Sequence, residues 1–225
     1  MRPPAPLLLQ AVVAPSEDRA VISAAEQLVS SLNRAWPSPA WRADVAVERP
    51  GKHIRPLQRA TALLLSLLTE AEHADEPISR TAARWNAIIQ SLGTTNVPVY
   101  VLTIFRHVPD RARDGRPTQL LERIRMLNRM AIDLSHGHGL GVIDIDRAFS
   151  HLGAQRLKTD WRMGGSTATE AAGHVMAWSL LSHGLDHAVD PGVQQKARNS
   201  LGSIRDIDAV ISGRLLRHLV GGAKK

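Results

Sequence analysis

Residues 7–18 read LLLQAVVAPSED, an apolar run of strand length closed by Pro15 and followed at once by Ser16, Glu17 and Asp18, the residue types that open helices. The run does not alternate between apolar and polar side chains, so it fits a strand covered on both faces, as in a parallel sheet. Beyond it, Val21, Ile22, Ala25, Leu28, Val29 and Leu32 recur at helical spacing, and the pattern stops before Pro37. Strand then helix is the repeating unit of an α/β domain.

Working outward, the unit recurs. Residues 43–48 (ADVAVE) alternate and read as an edge-side strand ending in the turn Arg49, Pro50, Gly51. Residues 54–60 are expected to form a short helix. Residues 62–68 (ALLLSLL) are a third apolar run, by periodicity either a strand or the continuation of that helix. Residues 77–92 are helical and stop at Gly93, and residues 97–105 (VPVYVLTIF) carry the β-branched and aromatic content of a strand. A polar loop over 106–117 leads to a helix over 118–134, with Leu121, Ile124, Leu127, Asn128 and Ala131 on one side. Residues 142–145 form a fifth strand. Residues 146–165 read as a long loop with irregular helical turns, before a helix over 167–183 with Ser166 as its N-cap. The expectation is a doubly wound, five-stranded parallel sheet flanked by helices, spanning residues 1–190, with residues 191–225 as a basic amphipathic helical tail.

Composition narrows the classes. Of 225 residues, 44% are apolar and 22% charged, which excludes collagenous, coiled-coil and wholly disordered chains. There is no cysteine, hence no disulfide, thiolate nucleophile or thiolate metal site. No signal peptide or membrane span is evident, and a cytoplasmic protein is expected. The net charge of +7 sits mainly in residues 192–225, which hold seven Lys or Arg against two acids. The basic character therefore belongs to a tail and not to a nucleic-acid-binding face. Five Trp, one Tyr and two Phe are scattered without forming a stacking platform, and nucleic acid is not an expected partner. In the tail, Ile204, Ile207, Val210, Ile211, Leu215 and Leu219 share a helical face, expected to pack on the domain, on a second copy in a homodimer, or on a protein partner.

In a doubly wound sheet, ligands meet the loops at the strand carboxyl ends. Ser16 stands there, either as a nucleophile whose own N–H helps hold an oxyanion or as a plain helix N-cap. Gly51 admits close approach of backbone to a ligand, or simply completes a Pro-Gly turn. After the fourth strand, Arg106 offers an anion contact and His107 a base, against the alternative of a solvated loop pair. Asp160 precedes the last helix of the sheet domain, where it either orients a histidine or closes an Asx-turn. Other patterns carry less. The glycines around His138 precede a strand instead of following one, which is the wrong side for a pyrophosphate. Residues 164–168 (GGSTA) are a near miss of a nucleophile elbow and follow no strand. His183 and His187 are interrupted by Gly184, and they and His136 with His138 read as surface residues, so no metal or other cofactor is expected.

Serine after the first strand, glycine after the second, the VYVLTIF strand, Leu127 and Asn128 on a helix, residues 142–146 (VIDID) and then Asp160, with Gly173 and Ala177 in the following helix, resemble the SGNH (GDSL-like) hydrolases and acyltransferases over residues 6–187. The resemblance implies Ser16 as nucleophile, Gly51 as an oxyanion donor and Asp160 as the orienting acid. Ala14 and Pro15 replace the usual Gly-Asp before the serine. Thr69 is the nearest polar residue where an asparagine donor is expected, and Met163 occupies the place of the Asp-x-x-His histidine. With Met163 unable to accept a proton, His107 is the rim histidine nearest to serve as base. The function so implied is ester hydrolysis or acyl transfer on a small-molecule or carbohydrate O-acyl group. The alternative is a catalytically degenerate pseudoenzyme that binds or scaffolds.

Overall fold

The computed structural model describes residues 6–36, 40–51, 54–73, 75–93, 96–109 and 116–203. Five parallel strands form one sheet: β1 (Leu7–Val12), β2 (Ala43–Glu48), β3 (Ala62–Ser66), β4 (Val99–Leu102) and β5 (Gly141–Ile143), in the order β2-β1-β3-β4-β5. The order reverses direction at β1, which places a crevice between the chain segments leaving β1 and β3. Strand position follows composition. Leu63, Leu64 and Leu65 of the central β3 are wholly buried on both faces, whereas the alternating β2 lies at an edge and is half exposed. The ambiguous run at 62–68 is therefore a strand, extended because it pairs with β1 and β4 in register Leu9↔Ala62 and Leu63↔Val99.

Helices cover both faces. A 3-10 turn (Pro15–Glu17) leads into α1 (Asp18–Ala35). The short α2 (Leu68–Ala71), α3 (Ile78–Leu92) and α4 (Arg116–His138) follow, then α5 (Ile145–Leu152), α6 (Ala154–Leu157), α7 (Ser166–His183) and α8 (Pro191–Leu201). α1 packs against α7 and α8, while α4 packs against α2 and α3. α1 and α7 approach closely at Gly173, where a Cβ would stand 2.6 Å from Ser23 Oγ and 2.9 Å from the Ala24 nitrogen.

Two local expectations are corrected. Residues 54–60 do not form a helix. The buried Gln10 side chain donates to the Arg55 carbonyl at 2.9 Å and accepts from the Leu57 N–H at 2.8 Å, so these backbone groups serve the sheet side chain instead of a helical ladder. Ser166 is the first helical residue of α7 and not its cap; Gly165, at φ 95°, makes the turn into the helix. The apolar tail positions Ile204, Ile207, Val210, Ile211, Leu215 and Leu219 lie outside the described residues. Among the described residues no helix is long and apolar enough to cross a membrane.

Candidate active site at the carboxyl rim

Because all strands are parallel, the segments leaving β1, β2, β3 and β4 share one rim. Ser16 is exposed there, inside the 3-10 turn, and makes no capping hydrogen bond. The cap belongs to Glu17, whose Oε2 accepts from the Ala14 N–H at 2.8 Å. Its other oxygen accepts from the Ser66 hydroxyl at 2.8 Å, and Ser66 Oγ in turn accepts from the Leu68 N–H at 3.0 Å. Glu17 thus ties the ends of β1 and β3 together beneath Ser16. It is 1% exposed, and burial pushes its carboxyl up to about 7, against the lowering effect of the Ser66 and Ala14 hydrogen bonds. In the sequence Glu17 reads only as a helix-opening acid. The usable signal was its spacing, three residues after the Ala14 cap, where a capping-box glutamate stands.

Gly51 and Thr69 come together. With Pro15, Arg49, His73 and Trp85 they line a cleft of about 620 Å³. Gly51 has open space above its Cα, the nearest atom to an added Cβ being the Arg49 carbonyl at 3.9 Å. Arg49 grips Asp18 through two 2.6 Å contacts, which hold the Asp18 carboxyl below its usual range. The opposite wall is an ion network. Glu70 accepts from Trp85 Nε1 at 2.9 Å and pairs with Arg84 at 2.5 Å. Glu76 pairs with Arg84 at 2.7 Å and accepts from the Thr81 hydroxyl at 2.8 Å, and the Arg84 and Thr81 hydrogen bonds hold its carboxyl at about 2. Arg123, 2% exposed, donates to the Glu70 and Glu76 carbonyls at 3.2 and 2.6 Å and to Thr81 Oγ1 at 2.8 Å. These residues are up to 53 positions apart, and nothing in their local sequence marked them as a group.

The β4 side of the rim is organised separately. Arg106 is held by Asp146, through a 2.5 Å ion pair and a 2.9 Å bond from its own N–H. Burial raises the Asp146 carboxyl despite that partner. Asn128 pins the same segment with paired 2.7 Å bonds to the Ile104 N–H and carbonyl. The His107 ring stacks on Phe105 at 5.8 Å, and its carbonyl accepts from the Trp161 N–H at 2.9 Å. That bond brings Asp160 alongside, and His107 and Asp160 line a hollow of about 470 Å³. Asp160 closes an Asx-turn with the Arg162 N–H at 2.9 Å and pairs with the Arg162 guanidinium at 2.8 Å. Met163, at φ 57°, turns inward and is 2% exposed. Among the described residues, no imidazole hydrogen-bonds the Ser16 hydroxyl or the Asp160 carboxylate. No group of metal-ligating side chains occurs among them either.

No family model matches the chain, and no curated protein matches its sequence. Solved structures do. A DUF4886 family protein from Bacteroides uniformis superposes with a TM-score of 0.50 at 9% identity, covering 88% of this chain and 95% of that one. The fold is SGNH-like. A lipase/acylhydrolase from Enterococcus faecalis gives a TM-score of 0.49 at 14% identity, over 78% of this chain and 95% of that one. Phospholipase A1 from Streptomyces albidoflavus gives 0.46 at 14% identity, over 82% and 100%. At such identities the likeness is one of fold. Within this SGNH-like frame, chemistry has to be argued from Ser16, Gly51, Thr69 and Asp160 themselves.

Proposed function

We propose that this chain uses its SGNH-like fold to bind a small ester or acylated carbohydrate at the cleft between β1, β2 and β3, without a working Ser-His-Asp triad. The observation that carries the reading is the Asp160 turn: its carboxylate is engaged by Arg162, and the residue three positions on is a buried methionine. A serine hydroxyl without a base stays protonated, and loss of a triad member removes several orders of magnitude in rate. The cleft keeps an open backbone at Gly51 and the Thr69 hydroxyl between charged walls whose charges are paired within the protein, Arg49 with Asp18 and Arg84 with Glu70 and Glu76, which suits a small neutral ligand.

The second reading is an active ester hydrolase or acyl transferase. It is favoured by the exposure of Ser16 in the first helical turn after β1, where its own N–H and the helix dipole would stabilise an oxyanion. A fluorophosphonate probe and p-nitrophenyl acetate separate the two. The binding reading expects no labelling of Ser16 and turnover equal to that of Ser16→Ala. Labelling that disappears in Ser16→Ala overturns it. Glucose pentaacetate titrated by calorimetry tests the cleft directly: Gly51→Trp, which fills open space, should abolish the heat of binding, and an unchanged isotherm would place the ligand elsewhere.

A further inference from the structure

A larger cavity lies at the β5 edge of the sheet, away from the cleft between β1, β2 and β3. It is a groove of about 850 Å³ between α5 and α7, along the outer flank of the edge strand β5. β5 is three strand positions from β1, about 14 Å across the sheet.

Its floor is shaped by two glycines. Tyr100 of β4 pairs directly with Gly141 of β5. A Cβ at Gly141 would stand 2.3 Å from the Tyr100 ring, and one at Gly184, just past α7, 2.2 Å from its hydroxyl oxygen. Only the missing side chains leave room for the ring to lie flat across the sheet edge. Trp178 of α7 adds a second aromatic surface, half-buried. The Tyr100 side chain is unsatisfied: the residue is 5% exposed, and its hydroxyl makes no hydrogen bond among the described residues. That oxygen is not among the sealed, partnerless polar atoms, so a solvent-sized group reaches it. Burial, with Asp186 nearby, pushes the phenol up to about 12, which leaves it neutral and able to donate.

Arg147, His151 and His183 line the mouth of the groove and are exposed. The Arg147 guanidinium has no ion-pair partner among the described residues. Asp144 lines the groove as well, its Oδ1 accepting from the Arg147 N–H at 3.0 Å and from the Thr103 hydroxyl at 3.1 Å, which turns that oxygen away from the Arg147 guanidinium.

We propose that this groove is a second ligand site, separate from the rim cleft, and that it takes a small aromatic carboxylate. The ring packs over Tyr100 and Trp178, and the carboxylate meets the unpaired Arg147 fork at the mouth. The volume suits such a molecule, since small-molecule pockets span about 300–1,000 Å³.

The test uses the full chain, 2-naphthoate as ligand, and uncharged 2-naphthamide as its isosteric control, measured by calorimetry. Saturable one-to-one binding of 2-naphthoate is expected, with the amide weaker by about tenfold. Arg147→Glu, at an exposed residue whose only hydrogen bond is from its backbone, should weaken naphthoate by about tenfold or more and leave the amide little changed. Gly51→Trp, at the other cleft, should change nothing. The proposal is overturned by an absence of saturable binding, as when another segment or a second copy covers the groove. It is equally overturned by naphthoate binding that ignores Arg147→Glu, or by binding lost in Gly51→Trp, which would move the site to the rim. None of these outcomes bears on whether Ser16 reacts.

Discussion

Glu17→Gln should stabilise the protein near neutral pH and lose that advantage in acid. The Glu17 carboxyl titrates at about 7 in the folded chain against 4.5 in its unperturbed form. The folded state therefore favours the protonated acid. Below about pH 4.5 the group is protonated whether the chain is folded or not, and its full contribution to stability is present. As pH rises from 4.5 to 7 the unfolded chain releases the proton while the folded chain holds it, so stability falls, and above about 7 the loss is complete. A displacement of this size corresponds to about 3 kcal/mol, a large share of a typical 5–15 kcal/mol domain stability. Glutamine imitates the neutral acid: its oxygen accepts from the Ala14 N–H, and its amide donates to Ser66 Oγ. Urea unfolding followed by tryptophan fluorescence, run for both proteins from pH 4 to 8, gives the difference directly. Glu76, held at about 2, and Asp18, also lowered, contribute the opposite trend, with stability lost as pH falls toward their folded values. Their effect is common to both proteins and cancels. The expected curve is a difference that grows by about 3 kcal/mol toward neutral pH and then levels. A difference that stays flat across this range would refute the claim that burial keeps the Glu17 carboxyl protonated in the folded chain up to about pH 7.

Gly173→Ala should lower stability by about 1–3 kcal/mol in thermal melts, because its Cβ meets the backbone of Ala24 and cannot be relieved by a rotamer change. Arg123→Ala should cost about 3 kcal/mol by leaving the Glu70 and Glu76 carbonyls and Thr81 without their donor; a loss below 1 kcal/mol would mean that water replaces the guanidinium. Met163→His should not create esterase activity unless Asp160 is also released by Arg162→Ala, since the ion pair at 2.8 Å holds the Asp160 carboxylate that an imidazole would need; activity in the single variant would show that the pair yields to an imidazole.

Much of the architecture was legible because it rests on local pattern. The apolar run at residues 7–12, closed by Pro15, fits a strand covered on both faces, and the helical stripe from Val21 to Leu32 specifies its own buried face. Composition and spacing also placed Ser16 and Gly51 after strands and Asp160 before the last helix of the sheet domain, and the resemblance marked Met163 as a departure. Tertiary structure decided how these residues are used. Pairing with strands on both sides made residues 62–66 extended where periodicity left a helix open. The reach of Gln10 from β1 took the backbone groups of Arg55 and Leu57 and prevented a helix there. Arg106 became a partner of Asp146, Asp160 of Arg162, and Glu17 a buried link between two strands. Hydrogen bonds and ion pairs between residues dozens of positions apart leave no periodic trace, because their energy depends on distance and burial in three dimensions. Sequence spacing records only which side chains share a face.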